Sequence, residues 1–268
     1  MRKITTMIAV LAAAALVVLA TPSAAQESAR IHLIHGIPDT PVDVVAGGEV
    51  VFADFQFGDT QDLSALAGQT LTGLTVNAAG TDTVAIDAGD TALPASGNYT
   101  IIAHLDPEGT PTLAVFENDT SSTAAGEGRL TVRHTAAAPA VDVLANGEPA
   151  FTNLSNPNEA AADLPAGTIS ASVVPTGAAD PVVIGPADLT VADGSSLIVY
   201  AVGSLEADSL TVLTETIDGL GTAPSAVNTG NSPVGDEAGL PVGLLALAGV
   251  ALLAAAVPAR RLAAARVR

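Results

Sequence analysis

The chain contains no cysteine and no tryptophan, and only seven of its 268 residues are Phe or Tyr. Without cysteine there is no disulfide framework, no thiol nucleophile and no thiolate metal site, so each folded part must bury a core large enough to hold it unaided. Basic residues are nearly as scarce, with 9 Lys plus Arg against 28 Asp plus Glu. Six of the nine lie at the two ends, so residues 26–239 keep only Arg30, Arg129 and Arg133, no lysine and a formal charge of −25. That balance excludes nucleic acid as a partner, because phosphate neutralisation needs the basic patch that is missing, and it excludes anionic membrane surfaces likewise. Charged residues make up 14% of the chain against 49% hydrophobic, too apolar a mixture for a disordered protein. Gly and Pro follow no triplet period, which removes a collagen-like chain. No G-x-S-x-G, P-loop, H-E-x-x-H or dinucleotide glycine pattern occurs.

Both ends carry apolar runs. Residues 1–25 start with Arg2 and Lys3, continue through the uncharged stretch Ile8 to Ala20 and end in Thr21-Pro22-Ser23-Ala24-Ala25. A basic start, a short apolar stretch and small residues at Ser23 and Ala25 predict a secretory signal peptide. At the other end, residues 240–259 form twenty residues without a charge, followed in 260–268 by Arg260, Arg261, Arg266 and Arg268. The run is long enough to cross a bilayer once as a transmembrane helix, and the arginines place 260–268 as a basic cytoplasmic tail. Leu240-Pro241-Val242-Gly243-Leu244 also resembles the start of a cell-wall sorting signal, without the Thr-Gly at which such signals are cleaved. The expected partner at this end is therefore the membrane, with wall attachment as the alternative.

Between the ends the chain repeats. At an offset of 99, Arg30 and His35 fall on Arg129 and His134, Val42-Asp43-Val44 on Val141-Asp142-Val143, and Phe52 on Phe151; nine of 23 positions are identical. Two of the three arginines of this region and two of the four histidines coincide, which composition does not explain. Further on, Gly97 to Ile102 lies over Gly194 to Val199 and Leu113 to Val115 over Leu210 to Val212, an offset near 97. The modules are read as residues 29–127 and 128–219, followed by a flexible Gly/Ser/Thr/Pro-rich stalk over 220–239.

Within each module the apolar period is two. Ile31, Leu33 and His35 share one face, and Val42 and Val44 alternate with Asp43. Gly47-Gly48 and Asn146-Gly147 fit hairpin turns that require positive φ. Further strands are expected at 71–77, 82–87, 98–104 and 112–117. About seven short strands per module with no helical run predict an all-β protein of two tandem β-sandwich modules, superposable and joined by a short connection.

The Arg-aliphatic-x-aliphatic-x-His strand, the loop Pro38-Asp39-Thr40-Pro41, Val42-Asp43-Val44 and the small-residue turn after them resemble the domain-of-unknown-function 4397 (DUF4397) family of bacterial secreted and surface proteins. The resemblance covers both modules, although Ala137-Ala138 replace Pro38-Asp39 in the second. It implies an immunoglobulin-like or similar sandwich on the cell exterior and brings no catalytic residues with it.

Several residues invite chemistry. His32 and His35 have an H-x-x-H spacing, but on a strand they point to opposite faces and cannot converge. His35 and His134 recur with Asp43 and Asp142 eight residues later, yet each His is in register with the inward residues and each Asp with the opposite face. A histidine hydrogen-bonded to its following loop is the better expectation. Asp54, Asp59 and Asp62, or Asp82, Asp87 and Asp90, could gather Ca²⁺ but lack the dense order of a dedicated loop. Asn98-Tyr99-Thr100, Asn118-Asp119-Thr120 and Asn153-Leu154-Ser155 fit the glycosylation triplet. No catalytic, cofactor or metal residue is assigned. The expected function is a non-enzymatic surface protein acting in binding, adhesion or envelope structure, with a hydrolase of envelope polymers using a carboxylate pair as the alternative.

Overall fold

The computed structural model describes residues 27–221. The first module comprises β1 (Arg30–His35), β2 (Val42–Ala46), β3 (Glu49–Phe55), β4 (Thr60–Asp62), β5 (Thr70–Ala78), β6 (Val84–Ala92), β7 (Asn98–Leu105) and β8 (Pro111–Glu117). The second repeats the series as β9 (Glu127–His134), β10 (Val141–Ala145), β11 (Glu148–Leu154), β12 (Glu159–Pro165), β13 (Gly167–Pro175), β14 (Ile184–Val191), β15 (Ser195–Val202) and β16 (Thr211–Asp218). The expected turns are in place: Gly47 and Gly48 have φ of 62° and 81°, and Asn146 and Gly147 of 53° and 84°, as a two-residue hairpin loop demands.

Each module is a sandwich of two four-stranded sheets, ordered β4-β1-β7-β8 over β3-β2-β5-β6 in the first and β12-β9-β15-β16 over β11-β10-β13-β14 in the second. The all-β reading holds, but the partition differs from the immunoglobulin arrangement, in which the first, second, fourth and fifth strands share a sheet. Here the chain leaves the β2–β3 hairpin through Gln56–Asp59 and pairs β4 antiparallel to β1, while β1 runs parallel to β7. Strand β4 is only three residues long and gives way to a 3-10 turn at Ser64–Leu66. So short a segment carries little periodicity, which hides the eighth strand of the first module; its counterpart β12 runs seven residues, and each module has eight strands where about seven are expected.

Three apolar cores stack through the protein. One closes the first sandwich around Ile31, Leu33, Val42, Val44, Phe55 and Ile101. Another closes the second around Leu130, Val132, Val141, Val143, Leu197 and Val199. The third lies between the modules, where Ile34, Ile102 and Phe116 meet Ile198, Tyr200 and Val202. Beyond the connection at 118–126, then, the equivalent sheets of the two copies face each other, and their central strands are buried on both sides. Residues 27–221 contain all three cores, which makes them a unit able to fold by itself.

The pairing also corrects the later part of the repeat. Leu33 pairs with Ile101 and Val132 with Val199, so β7 and β15 correspond at an offset of 98, not 97. A one-residue slip exchanges the two faces of a strand: Thr100 and Ile198, both facing the other module, are the equivalent pair. The expected transmembrane helix at 240–259, the signal peptide at 1–25 and most of the stalk lie outside the described residues. Among the described residues no helix is long and apolar enough to cross a membrane.

Candidate functional site

The repeated His and Asp do the same work in both copies. His35 and His134 turn inward, and their Nε2–H groups donate to the carbonyls of Thr40 at 2.6 Å and Pro139 at 3.0 Å. Each therefore holds the loop that follows its strand, as the phase of the strand predicted. Burial lowers the pKa of both rings, only partly opposed by that carbonyl, so they stay neutral. On the opposite face, Asp43 accepts from the amides of Asp54 and Gly80, and Asp142 from those of Asn153 and Gly177, all at 2.8–2.9 Å. Asp54 and Asn153 stand at φ of 52° and 55°, so each carboxylate pins an irregular point of the neighbouring strand to the far turn. These donors hold the Asp43 and Asp142 carboxyls below the usual carboxylate range. No catalytic pair results, because His and Asp lie on opposite faces of the module.

A denser polar cluster sits between the modules. Glu215, on β16, accepts from His32 Nδ1 at 2.6 Å, Thr100 Oγ1 at 2.8 Å and Tyr200 Oη at 2.8 Å; the first two belong to the other module. Arg133 is fully buried: its Nε meets Glu159 at 2.7 Å, Nη1 donates to Tyr200 Oη at 2.7 Å, and Nη2 donates to Asn118 Oδ1 at 2.8 Å. The guanidinium also lies 4.3 Å over the Phe116 ring of the first module. Such a cation is tolerated away from water because each of its three nitrogens has a hydrogen-bond partner and its face lies on an aromatic ring. Burial raises the Tyr200 phenol, so it remains a donor to Glu215 at any ordinary pH. Asn156 closes the far end of the interface, donating to Leu105 O and Ala136 O at 2.8 and 2.7 Å.

The remaining candidates are dispersed. Asp59, Asp62, Asp87 and Asp90 each accept from a local backbone amide, and among the described residues no three His, Asp or Glu side chains gather into a metal-sized group. His32 and His35 diverge as expected. Of the glycosylation triplets, Asn98 and Asn118 are committed to each other at 2.8 Å in the interface network, whereas Asn153 is exposed.

One feature escaped the sequence altogether. The first sandwich encloses an apolar cavity of about 190 Å³ between its sheets, lined by Leu33, Phe52, Phe55, Leu74, Ile101 and Leu113 among others. Its single polar lining residue is Thr91, whose hydroxyl is spent on Ala88 O at 3.2 Å. Val51 and Val115 also line it and are 49% and 55% exposed, so the space reaches solvent. The second sandwich retains only spaces of about 30 and 40 Å³. At about 24 cal/mol per Å³, an unfilled space of the first module's size costs on the order of 4 to 5 kcal/mol against a filled core.

Among curated proteins none matches the chain. The family described as Domain of unknown function (DUF4397) matches residues 29–144, a stretch that begins just before β1, takes in the whole first sandwich and ends inside β10. It thus includes the paired His35 and Asp43 whose loop and strand contacts define the module, and over residues 29–144 this chain is similar to the DUF4397 family.

Proposed function

We propose that the protein is a non-enzymatic binding or envelope-structure protein, held at the cell exterior by an apolar C-terminal segment, with the two sandwiches acting as one rigid body. The observation that carries this is the buried lock between the modules. Arg133, Tyr200, Glu215, Thr100 and Asn118 are joined by hydrogen bonds of 2.7–2.8 Å, and the two outer sheets face away from it. A lock of this kind fixes the spacing of two faces, a property of use to a displayed module. The carboxyls displaced from their ordinary range, Asp43, Asp62, Asp119 and Asp142, are all displaced downward, chiefly by hydrogen bonds from Ser64 and Ser121 or from backbone amides. A glycosidase-type acid needs the opposite displacement, which weighs against the hydrolase alternative. The export reading is supported by the signal-like residues 1–25, the twenty uncharged residues 240–259 and the arginines after them. A protease of broad specificity, not one that needs Lys or Arg, added to intact cells tests it: cleavage within 26–239 with a tag after Arg268 protected is the expected result. Digestion of the tag with 26–239 intact would overturn the orientation.

A further inference from the structure

We propose that the cavity of the first sandwich is a binding site for a small uncharged hydrocarbon group, of about six to eight carbons, judged against the benzene-binding cavity of ~150 Å³ known in an engineered core. Four observations converge. The cavity is about 190 Å³, far above the water-sized gaps that close-packed interiors leave. Its wall offers no free polar partner, since the Thr91 hydroxyl is already bonded to Ala88 O, so water is not a stable occupant. Val51 and Val115 on its wall are about half exposed, which provides a way in. The second sandwich has the same strand order and the same His and Asp contacts, yet leaves only about 30 and 40 Å³. The hollow is thus a property of these side chains and not of the fold. A charged ligand is excluded by the apolar wall and, if anionic, by the acidic surface around it.

The inference deepens the binding reading above and rests on it, but its test is independent of cell topology. The group could be a compact free molecule or the tip of a longer chain, so the probes are toluene and 1-octanol, added to the fragment 26–239. The expected result is a saturable rise in Tm of several degrees with at least one of them; the larger response at equal concentration tells the compact from the chain source. Methyl shifts should move at Leu33, Leu74 and Leu113 and stay fixed at Leu130 and Leu189 of the second module. Ala103→Leu projects into the cavity, and should abolish the response. If that variant does not fold, Ala88→Leu, on the opposite sheet, serves instead. No saturable rise with either probe, shifts spread over both modules, or a full response in a folded filled variant would overturn the proposal. A failure here leaves the protease result standing, and a reversed orientation in cells leaves the toluene result standing.

Discussion

The first and second sandwiches share strand order, hairpin turns and the His–loop and Asp–strand contacts, yet one is hollow and the other nearly full. They also meet through equivalent sheets carrying different chemistry. Pairing β1 with β9 places Ile34 opposite Arg133 in the repeat, and the β7–β8 and β15–β16 registers place Phe116 opposite Glu215. In a symmetric dimer each residue would have to satisfy both roles. Joining two copies in one chain frees the positions to diverge, so that the aromatic ring of one copy covers the cation of the other. What topology fixes is hydrogen bonding and register; interior volume and interface charge are set residue by residue.

The largest effect should come from the position where the copies differ most. Arg133→Met leaves Tyr200 Oη, Asn118 Oδ1 and Glu159 without their partner and should cost about 3 kcal/mol. Urea unfolding should then split into two transitions as the modules uncouple; a single transition at unchanged midpoint would show that the apolar part of the interface suffices. Next come the paired alanines. Ala201→Leu in the filled sandwich should destabilise by about 1 to 3 kcal/mol through overpacking, whereas its equivalent Ala103→Leu enters open space and should be neutral or stabilising. Equal losses from the two would remove the contrast between hollow and full. Asp43→Asn and Asp142→Asn, by comparison, should lower Tm to a similar degree, because both carboxylates hold the same two amides.

Acidity should act on both modules, and more on the first, which holds two of the three buried histidines. His35, His104 and His134 have pKa values lowered chiefly by burial, so the unfolded chain binds more protons just below pH 6.5 and stability is lost as pH falls through that range. The depressed carboxyls contribute stability above about pH 4 that is lost on further acidification. Melting between pH 7 and 3 should show both steps. The smallest effect is expected from salt: with −25 on residues 26–239, raising NaCl from 0.01 to 0.15 M shortens the Debye length from ~30 to ~8 Å and should raise Tm modestly. An indifferent Tm would mean that the acids are too far apart to repel.

Most strands, the hairpin glycines and the inward set of His35 and His134 were legible because one face of β1 and β2 differs in polarity from the other. The slip between β7 and β15 has the opposite cause. Leu197 to Val202 is buried on both faces, so its alternation carries no phase, and aligning on Gly97 and Gly194 shifted the strand by one. The same unbroken apolar run was the available sign of the inter-module interface, since a strand buried on both sides needs two covers. The cavity left no sign, because a period records which side a residue faces and not how much space it fills.

The use of arginine has one more consequence. Arg129 and Arg133 are buried in a strand paired on both sides and are tied to Asp119, Asp163 and Glu159. Residues 26–239 contain no lysine, which leaves Arg30 as the exposed basic side chain among the described residues. Residues 26–239 thus offer trypsin-like enzymes almost no exposed site, and that stretch carries no side-chain amine for glycation or aldehyde cross-linking to modify. A surface built this way would outlast its neighbours wherever such proteases and carbonyl compounds accumulate.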